Sequence, residues 1–102
     1  MKQKNKYITI NHFDDCRGYL NFRVGDILTL KKDHNNDYDD EAIGVYKDND
    51  YKYGYVANSV YTVARGTYSA GRIYDQLEEE SKCIVRFITE NMLIAEVYEN
   101  VK

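Results

Sequence analysis

Short segments in which apolar and polar residues alternate dominate the chain and predict β-strands. The first segment, residues 7–10 (YITI), consists of β-branched and aromatic residues, which favour extended structure. In residues 51–56 three tyrosines recur at every second position, so they are predicted to share one face of a strand. The same reasoning gives six predicted strands, at residues 7–10, 27–31, 42–46, 51–56, 82–88 and 92–98.

Between the fourth and fifth strands the pattern becomes typical of short helices. Asn58 or Ser59 can cap a helix that runs through Ala64. Ser69 can cap a second helix, which we expect to end near Leu77. Six short strands with two short helices inserted before the last two strands predict a mainly β (α+β) fold, a small and partly closed β-barrel.

Length and composition favour one small cytoplasmic domain. The 102 residues suffice for a single hydrophobic core, so we predict one domain over residues 1–102, with its core at about 7–98. No apolar stretch approaches the roughly 20 residues of a membrane span, and the polar start does not resemble a signal peptide. Cys16 and Cys83 form no CxxC pattern, which predicts two free thiols and no zinc or redox site.

The net charge of −3 is unevenly distributed. Residues 1–32 contain seven Lys or Arg and three Asp, whereas residues 33–80 contain eleven acidic and four basic residues. A non-specific duplex binder usually has a basic face overall. Any contact with nucleic acid is therefore expected to be small and local.

The polar segment Asn35–Ile43 leads directly into the third predicted strand and offers the most distinctive chemistry of the chain. Asn and Asp build turns through their own backbone hydrogen bonds, and Tyr38 adds a flat stacking face. The segment is thus either a turn that packs on the barrel or a ligand-binding loop. An EF-hand is not predicted, because the sixth loop position is Tyr38 and the twelfth is Gly44. We expect no metal and no cofactor.

Arg65 and Arg72 flank a junction of small residues at the start of the second predicted helix. Arginine binds phosphate through two parallel donors, so the pair is a candidate phosphate site. The alternative is that both arginines pair with the many acids of this half of the chain. The histidines and cysteines show no catalytic spacing, so we do not expect an enzyme.

Three segments, taken in order, closely resemble the HIRAN domain. They are residues 24–30 (VGDILTL), 35–43 (NNDYDDEAI) and 53–56 (YGYV), and the resemblance covers about residues 7–98. It implies a small OB/SH3-like β-barrel, here as a free-standing bacterial-type member. HIRAN domains that are fused to fork-remodelling translocases bind single-stranded DNA and recognise its free 3′ end.

The resemblance implies roles for individual residues. Tyr38 corresponds to the tyrosine that contacts the terminal nucleotide, and Asp39 to the aspartate that accepts a hydrogen bond from the 3′-hydroxyl. The stacking and phosphate-contacting positions after the first strand correspond to His12 and Phe13. The complete predicted nucleic-acid-binding set is Tyr38, Asp39, His12, Phe13, Arg17, Asn36, Arg65 and Arg72.

Asp37 stands where the family usually has proline, and it adds a negative charge beside the predicted site. This departure keeps two hypotheses open. In the first, the protein is a non-catalytic module that binds single-stranded DNA or its 3′ end, with a possible DNA-processing protein as partner. In the second, it is a protein-interaction or accessory domain of the same fold that has lost its affinity for DNA.

Overall fold

The computed structural model describes residues 5–12, 22–47, 51–59, 61–89 and 92–98, with only the backbone at positions 12 and 51. The strands and helices, in chain order, are β1 (Lys6–His12), β2 (Ile27–Lys32), β3 (Ile43–Lys47), β4 (Tyr51–Val56), α1 (Ala70–Ile73), a 3₁₀ turn (Tyr74–Gln76), β5 (Glu80–Ile88) and β6 (Met92–Val97).

The six strands form a closed antiparallel barrel in the order β1-β4-β3-β2-β5-β6. Closure occurs between the first and last strands, where the register runs from Lys6 opposite Val97 to Asn11 opposite Met92. A closed barrel leaves no unpaired strand edge, which removes a template for aggregation. The predicted six-stranded, mainly β fold is confirmed.

Alternation along each strand directs one set of side chains into the barrel. β6 shows this most clearly, with every second residue from Leu93 to Val97 buried. Ala70 and Ile73 of α1 join the same core cluster, so the short helix is held by packing and not by its own length. The fully buried large side chains are Ile8, Ile10, Leu28, Leu30, Ile43, Ile73 and Leu93.

The segment that follows β4 lies along β1. The Ala57 N–H donates to the Thr9 carbonyl at 2.8 Å, and the Tyr68 N–H donates to the Tyr7 carbonyl at 2.7 Å. The buried Thr9 hydroxyl lies 2.8 Å from the Thr67 hydroxyl. These bonds fix residues 57–59 and 61–69 against the barrel wall.

The helix predicted from Asn58 or Ser59 through Ala64 is wrong. The backbone forms turns at residues 61–66, and the Ala64 N–H donates to the Thr9 hydroxyl at 3.0 Å. The second predicted helix is present as α1 and the 3₁₀ turn, with Ser69 as its N-cap. None of the helices in the described part of the chain is long and apolar enough to cross a membrane.

A register shift interrupts the predicted tyrosine stripe on β4. Val45 of β3 pairs with Gly54 and Tyr46 pairs with Lys52, so Tyr53 is the extra residue of a bulge. The Tyr53 ring meets Phe22 edge-on at 5.0 Å and packs against the core. Lys52 and Tyr55 instead meet each other on the outside, so the expectation of one shared face is wrong for Tyr53 and Tyr55.

Candidate nucleic-acid interface

The loop between β2 and β3, residues 33–42, is closed at its neck. The Asp33 N–H donates to the Ala42 carbonyl at 2.9 Å, and the Asp33 carboxylate accepts from the Asn35 N–H at 3.2 Å. The other carboxylate oxygen accepts from Lys52 Nζ at 3.2 Å and from the Tyr55 hydroxyl at 3.1 Å. Both strands that flank the loop and the neighbouring β4 therefore hold its base.

The pKa directions agree with this geometry. Burial alone would raise the pKa of Asp33, but hydrogen bonds from Lys52, Tyr55 and the Asn35 N–H outweigh it and hold the pKa below the ordinary 3.8. The hydrogen bond to Tyr55 is the largest influence on Lys52 and raises its pKa; desolvation lowers it, and the hydrogen bond to Asp33 raises it further. The pKa of Lys52 therefore lies above the ordinary 10.5. The pair is charged at neutral pH, so the loop neck is fixed by a direct ion pair, and the Tyr55 hydroxyl is hydrogen-bonded to both of its members.

The tip of the loop is built from side-chain to backbone hydrogen bonds. Asn36 Oδ1 accepts from the Tyr38 N–H at 2.8 Å and from the Asp39 N–H at 2.9 Å. Asp39 Oδ1 accepts from the Glu41 N–H at 2.9 Å. The Tyr38 side chain is 99% exposed, so its ring is free to stack on a planar ligand.

Asn58 joins this loop to α1. Its Nδ2 donates to Asp39 Oδ2 at 2.9 Å, and its Oδ1 accepts from the Gly71 N–H at 2.7 Å. The second bond satisfies one of the free N–H groups at the start of the helix. A Cβ on Gly71 would lie 2.9 Å from Glu41 Oε1 and 3.2 Å from Asn58 Oδ1, so a side chain at this position would displace the ends of these two side chains.

Asn58 also lines a pocket of about 340 Å³ between the turns at 61–66 and α1. This volume matches that of small-ligand sites in proteins. The remaining lining residues are Ser59, Val63, Ala64, Arg65, Gly66, Thr67, Ser69 and Arg72. The pocket thus combines two guanidinium groups with three hydroxyl side chains, which suits an anionic group with several oxygen acceptors.

Arg65 and Arg72 are exposed, and neither forms an ion pair with an acid in the described part of the chain. The Arg72 guanidinium lies 4.9 Å from the centre of the Tyr68 ring, a cation–π contact that orients it. The alternative that both arginines serve to pair with neighbouring acids is therefore not favoured.

The predicted residues separate into two groups. Asn36, Tyr38 and Asp39 lie in the loop and Arg65 and Arg72 line the pocket, and Asn58 connects the two.

His12 ends β1 opposite Gly54, and its side chain lies outside the description. Phe13 and Arg17 also lie outside the described residues. Asn58 appeared in the sequence only as a possible helix cap, because its contacts join segments far apart in the chain. The glycine two residues after Ser69 was the available signal of a close contact at the start of α1.

Comparison with known proteins gives one finding. The family model for the HIRAN domain matches residues 6–100, nearly the whole chain. No curated protein and no solved structure matches. The match includes every strand of the barrel and both halves of the site, the loop at 33–42 and the pocket at 58–72. The chain therefore belongs to the HIRAN domain family.

Proposed function

We propose that this protein binds single-stranded DNA at its 3′ end and acts through binding, without catalysis. Membership of the HIRAN family indicates a nucleic-acid-binding module. The observation that carries the finer proposal is the bond between Asn58 and Asp39, because it places an exposed acceptor loop beside a pocket that contains two arginines.

Asp39 is suited to recognise a terminal hydroxyl. Each of its carboxylate oxygens accepts one hydrogen bond, from the Glu41 N–H and from Asn58 Nδ2. A carboxylate has about four acceptor positions, so it retains capacity for a donor from the ligand. A 3′-hydroxyl supplies that donor, whereas a 3′-phosphate supplies negative charge that Asp39 repels.

Tyr38 and the arginine pocket can bind the other parts of a terminal nucleotide, its base and its phosphate. Stacking of a base on an exposed aromatic ring is worth about 1–3 kcal/mol. Arg65 and Arg72 can hold the phosphate that precedes the terminal sugar. The Ser69 hydroxyl, which accepts from the Arg72 N–H, is a further donor. These contacts involve only one or two phosphates, consistent with the acidic balance of the chain.

Fluorescence anisotropy with 5′-labelled oligonucleotides tests the proposal. Oligonucleotides that end in a 3′-hydroxyl should bind more tightly than those that end in a 3′-phosphate or a 3′-deoxy sugar. Asp39→Ala should abolish this preference, and Asp75→Ala, which removes an exposed acid from the 3₁₀ turn, is the matched control. Equal affinity of the wild-type protein for all three ends would refute recognition of the 3′ end.

The arginine pocket has its own test. Arg65→Gln and Arg72→Gln should each weaken binding of every oligonucleotide, because phosphate contacts carry no information about the terminal group. Arg23→Gln, at an exposed arginine in the segment before β2, should have no comparable effect. Unchanged binding after both pocket substitutions would remove the pocket from the proposed site.

A protein-interaction role is the second candidate, and one surface favours it. Ile27 is 54% and Phe87 63% exposed. Their cross-strand partners are the aliphatic residues Ile84 and Ile94. Ile27→Ser with Phe87→Ser should leave DNA binding intact under the first proposal. An affinity purification that recovers nucleic acid but no specific protein would count against the second.

A further inference from the structure

We infer that the outer face of β2, β3 and β4 is a second contact surface for single-stranded nucleic acid, which binds the phosphate backbone leading away from the terminal site. The direction in which the bound nucleic acid leads away from the terminal site rests on the proposed function. The surface itself rests on residues that lie outside the loop and the arginine pocket.

Strand register brings five residues together on this face. Lys31 of β2 is opposite Gly44 of β3, and Gly44 is opposite Tyr55 of β4. Two residues further along β3, Tyr46 is opposite Lys52. The neighbours of Gly44 in β3 are buried in the core, so alternation turns this set outward. We call it the lysine–tyrosine face.

Each lysine of the lysine–tyrosine face is held on an aromatic ring. Lys31 Nζ lies 4.8 Å from the centre of the Tyr46 ring, and Lys52 Nζ lies 4.7 Å from the centre of the Tyr55 ring. A Cβ on Gly44 would lie 3.0 Å from Tyr46 Cε1, so the glycine lets this ring lie against the sheet. A lysine that is already ordered loses less conformational entropy when it binds a phosphate.

The two lysines differ in their available charge. Lys52 is paired with Asp33 at 3.2 Å and accounts for little net attraction. Lys31 forms no ion pair with any acid in the described ranges, although Glu80 is its cross-strand neighbour on β5, and the residue is half-buried. Lys31 is therefore the principal phosphate contact, and the Tyr46 hydroxyl is a neighbouring donor.

The face is continuous with the proposed terminal site. Asp33, the first residue of the loop, connects the two, because it closes the neck of the loop that carries Tyr38 and also binds Lys52 and Tyr55 of the face. Neighbouring strands lie about 4.8 Å apart, so the path from β4 to β2 is about 10 Å. That is the length of about three nucleotides at the rise of a stacked strand, about 3.4 Å each.

Oligonucleotide length separates this face from the terminal site. Lys31→Gln should weaken binding of a 10-nucleotide strand about three- to tenfold and reduce the salt slope of log K by about 0.7, the value for one phosphate of a single strand. It should leave binding of a trinucleotide with a free 3′-hydroxyl unchanged. Gly44→Ala, which displaces Tyr46 without a change of charge, should reproduce the loss of affinity in the longer strand.

Lys6→Gln is the matched control, because Lys6 begins β1 opposite Val97 of β6, away from the face. Thermal unfolding of each variant establishes that it is folded. Equal loss for the two lengths after Lys31→Gln, or an unchanged salt slope, overturns the inference. A length effect of Lys31 without a preference for the 3′-hydroxyl supports the face and rejects only the terminal site. Absence of any DNA binding rejects both.

Discussion

Replacement of Asn58 by alanine tests whether one exposed asparagine joins the two halves of the site. The substitution removes the bond from Nδ2 to Asp39, at 2.9 Å, and the bond from the Gly71 N–H, at 2.7 Å. A hydrogen bond to a charged group contributes about 1.5–3 kcal/mol and a neutral one about 0.5–1.5 kcal/mol. Because Asn58 is exposed, water replaces part of both, and we expect a loss of about 1–2 kcal/mol in the free energy of unfolding.

Urea denaturation followed by circular dichroism measures this loss, and amide hydrogen exchange reports it locally. The Gly71 N–H should exchange faster in Asn58→Ala, because its acceptor is gone. Asn58→Asp keeps an acceptor for Gly71 but places a second carboxylate beside Asp39. It should therefore preserve slow exchange at Gly71 while it lowers the preference for a 3′-hydroxyl.

Asn35→Ala is the control for this prediction. Asn35 is exposed in the same loop, and its side chain makes no hydrogen bond to the residues that the structure describes. If Asn58→Ala unfolds at the same urea concentration as Asn35→Ala, and Gly71 exchanges at the wild-type rate, the connection described for Asn58 is refuted.

Three further predictions concern stability and reactivity. The contribution of Asp33 to the free energy of unfolding should be complete above about pH 4 and should decline as pH falls through its lowered pKa. The contribution of Lys52 should persist until pH rises above 10.5. Urea titrations in which Asp33→Asn keeps the acid dependence of the wild-type protein would contradict this. Burial raises the pKa of the Cys83 thiol to about 12, so in a Cys16→Ser variant at pH 8 a thiol reagent should label Cys83 only after unfolding; rapid labelling of the native protein would contradict it. Gly66 has φ +90°, so Gly66→Ala should lower the free energy of unfolding by about 1–2 kcal/mol in the same titration, and an unchanged midpoint would show that the turn tolerates a side chain.

The strands were predictable because their pattern is local. Alternation in residues 92–98 specifies which side chains of β6 enter the barrel, and the observed strand ends one residue earlier than predicted. The failed helix has a non-local cause. Ala64 donates its N–H to Thr9, 55 positions earlier in the chain, and no periodicity within residues 58–66 can reveal that acceptor.

The tyrosines of β4 show that prediction from a local sequence pattern has the same limit for a strand. Residues 51–56 alternate as a regular strand does, yet the shift in register with β3 turns Tyr53 toward the core and leaves Tyr55 outside. A bulge depends on the partner strand, which the pattern of one strand does not contain. The likeness of the loop at 35–43 to the HIRAN domain pointed to Tyr38 and Asp39, whereas Asn58 required the fold.

The number of acidic and basic residues in a segment also misleads about DNA binding when the positions of the charges in the fold are not known. Residues 33–80 contain eleven acidic and four basic residues, which suggests a surface that repels DNA. Asp33, however, is paired with Lys52, and the pocket is lined by Arg65 and Arg72, which have no acidic partner among the described residues. Salt screens exposed charges beyond about 8–10 Å, so the groups at the site outweigh the sum over the segment. Asp37, exposed in the loop itself, is the acid whose removal should raise affinity for DNA.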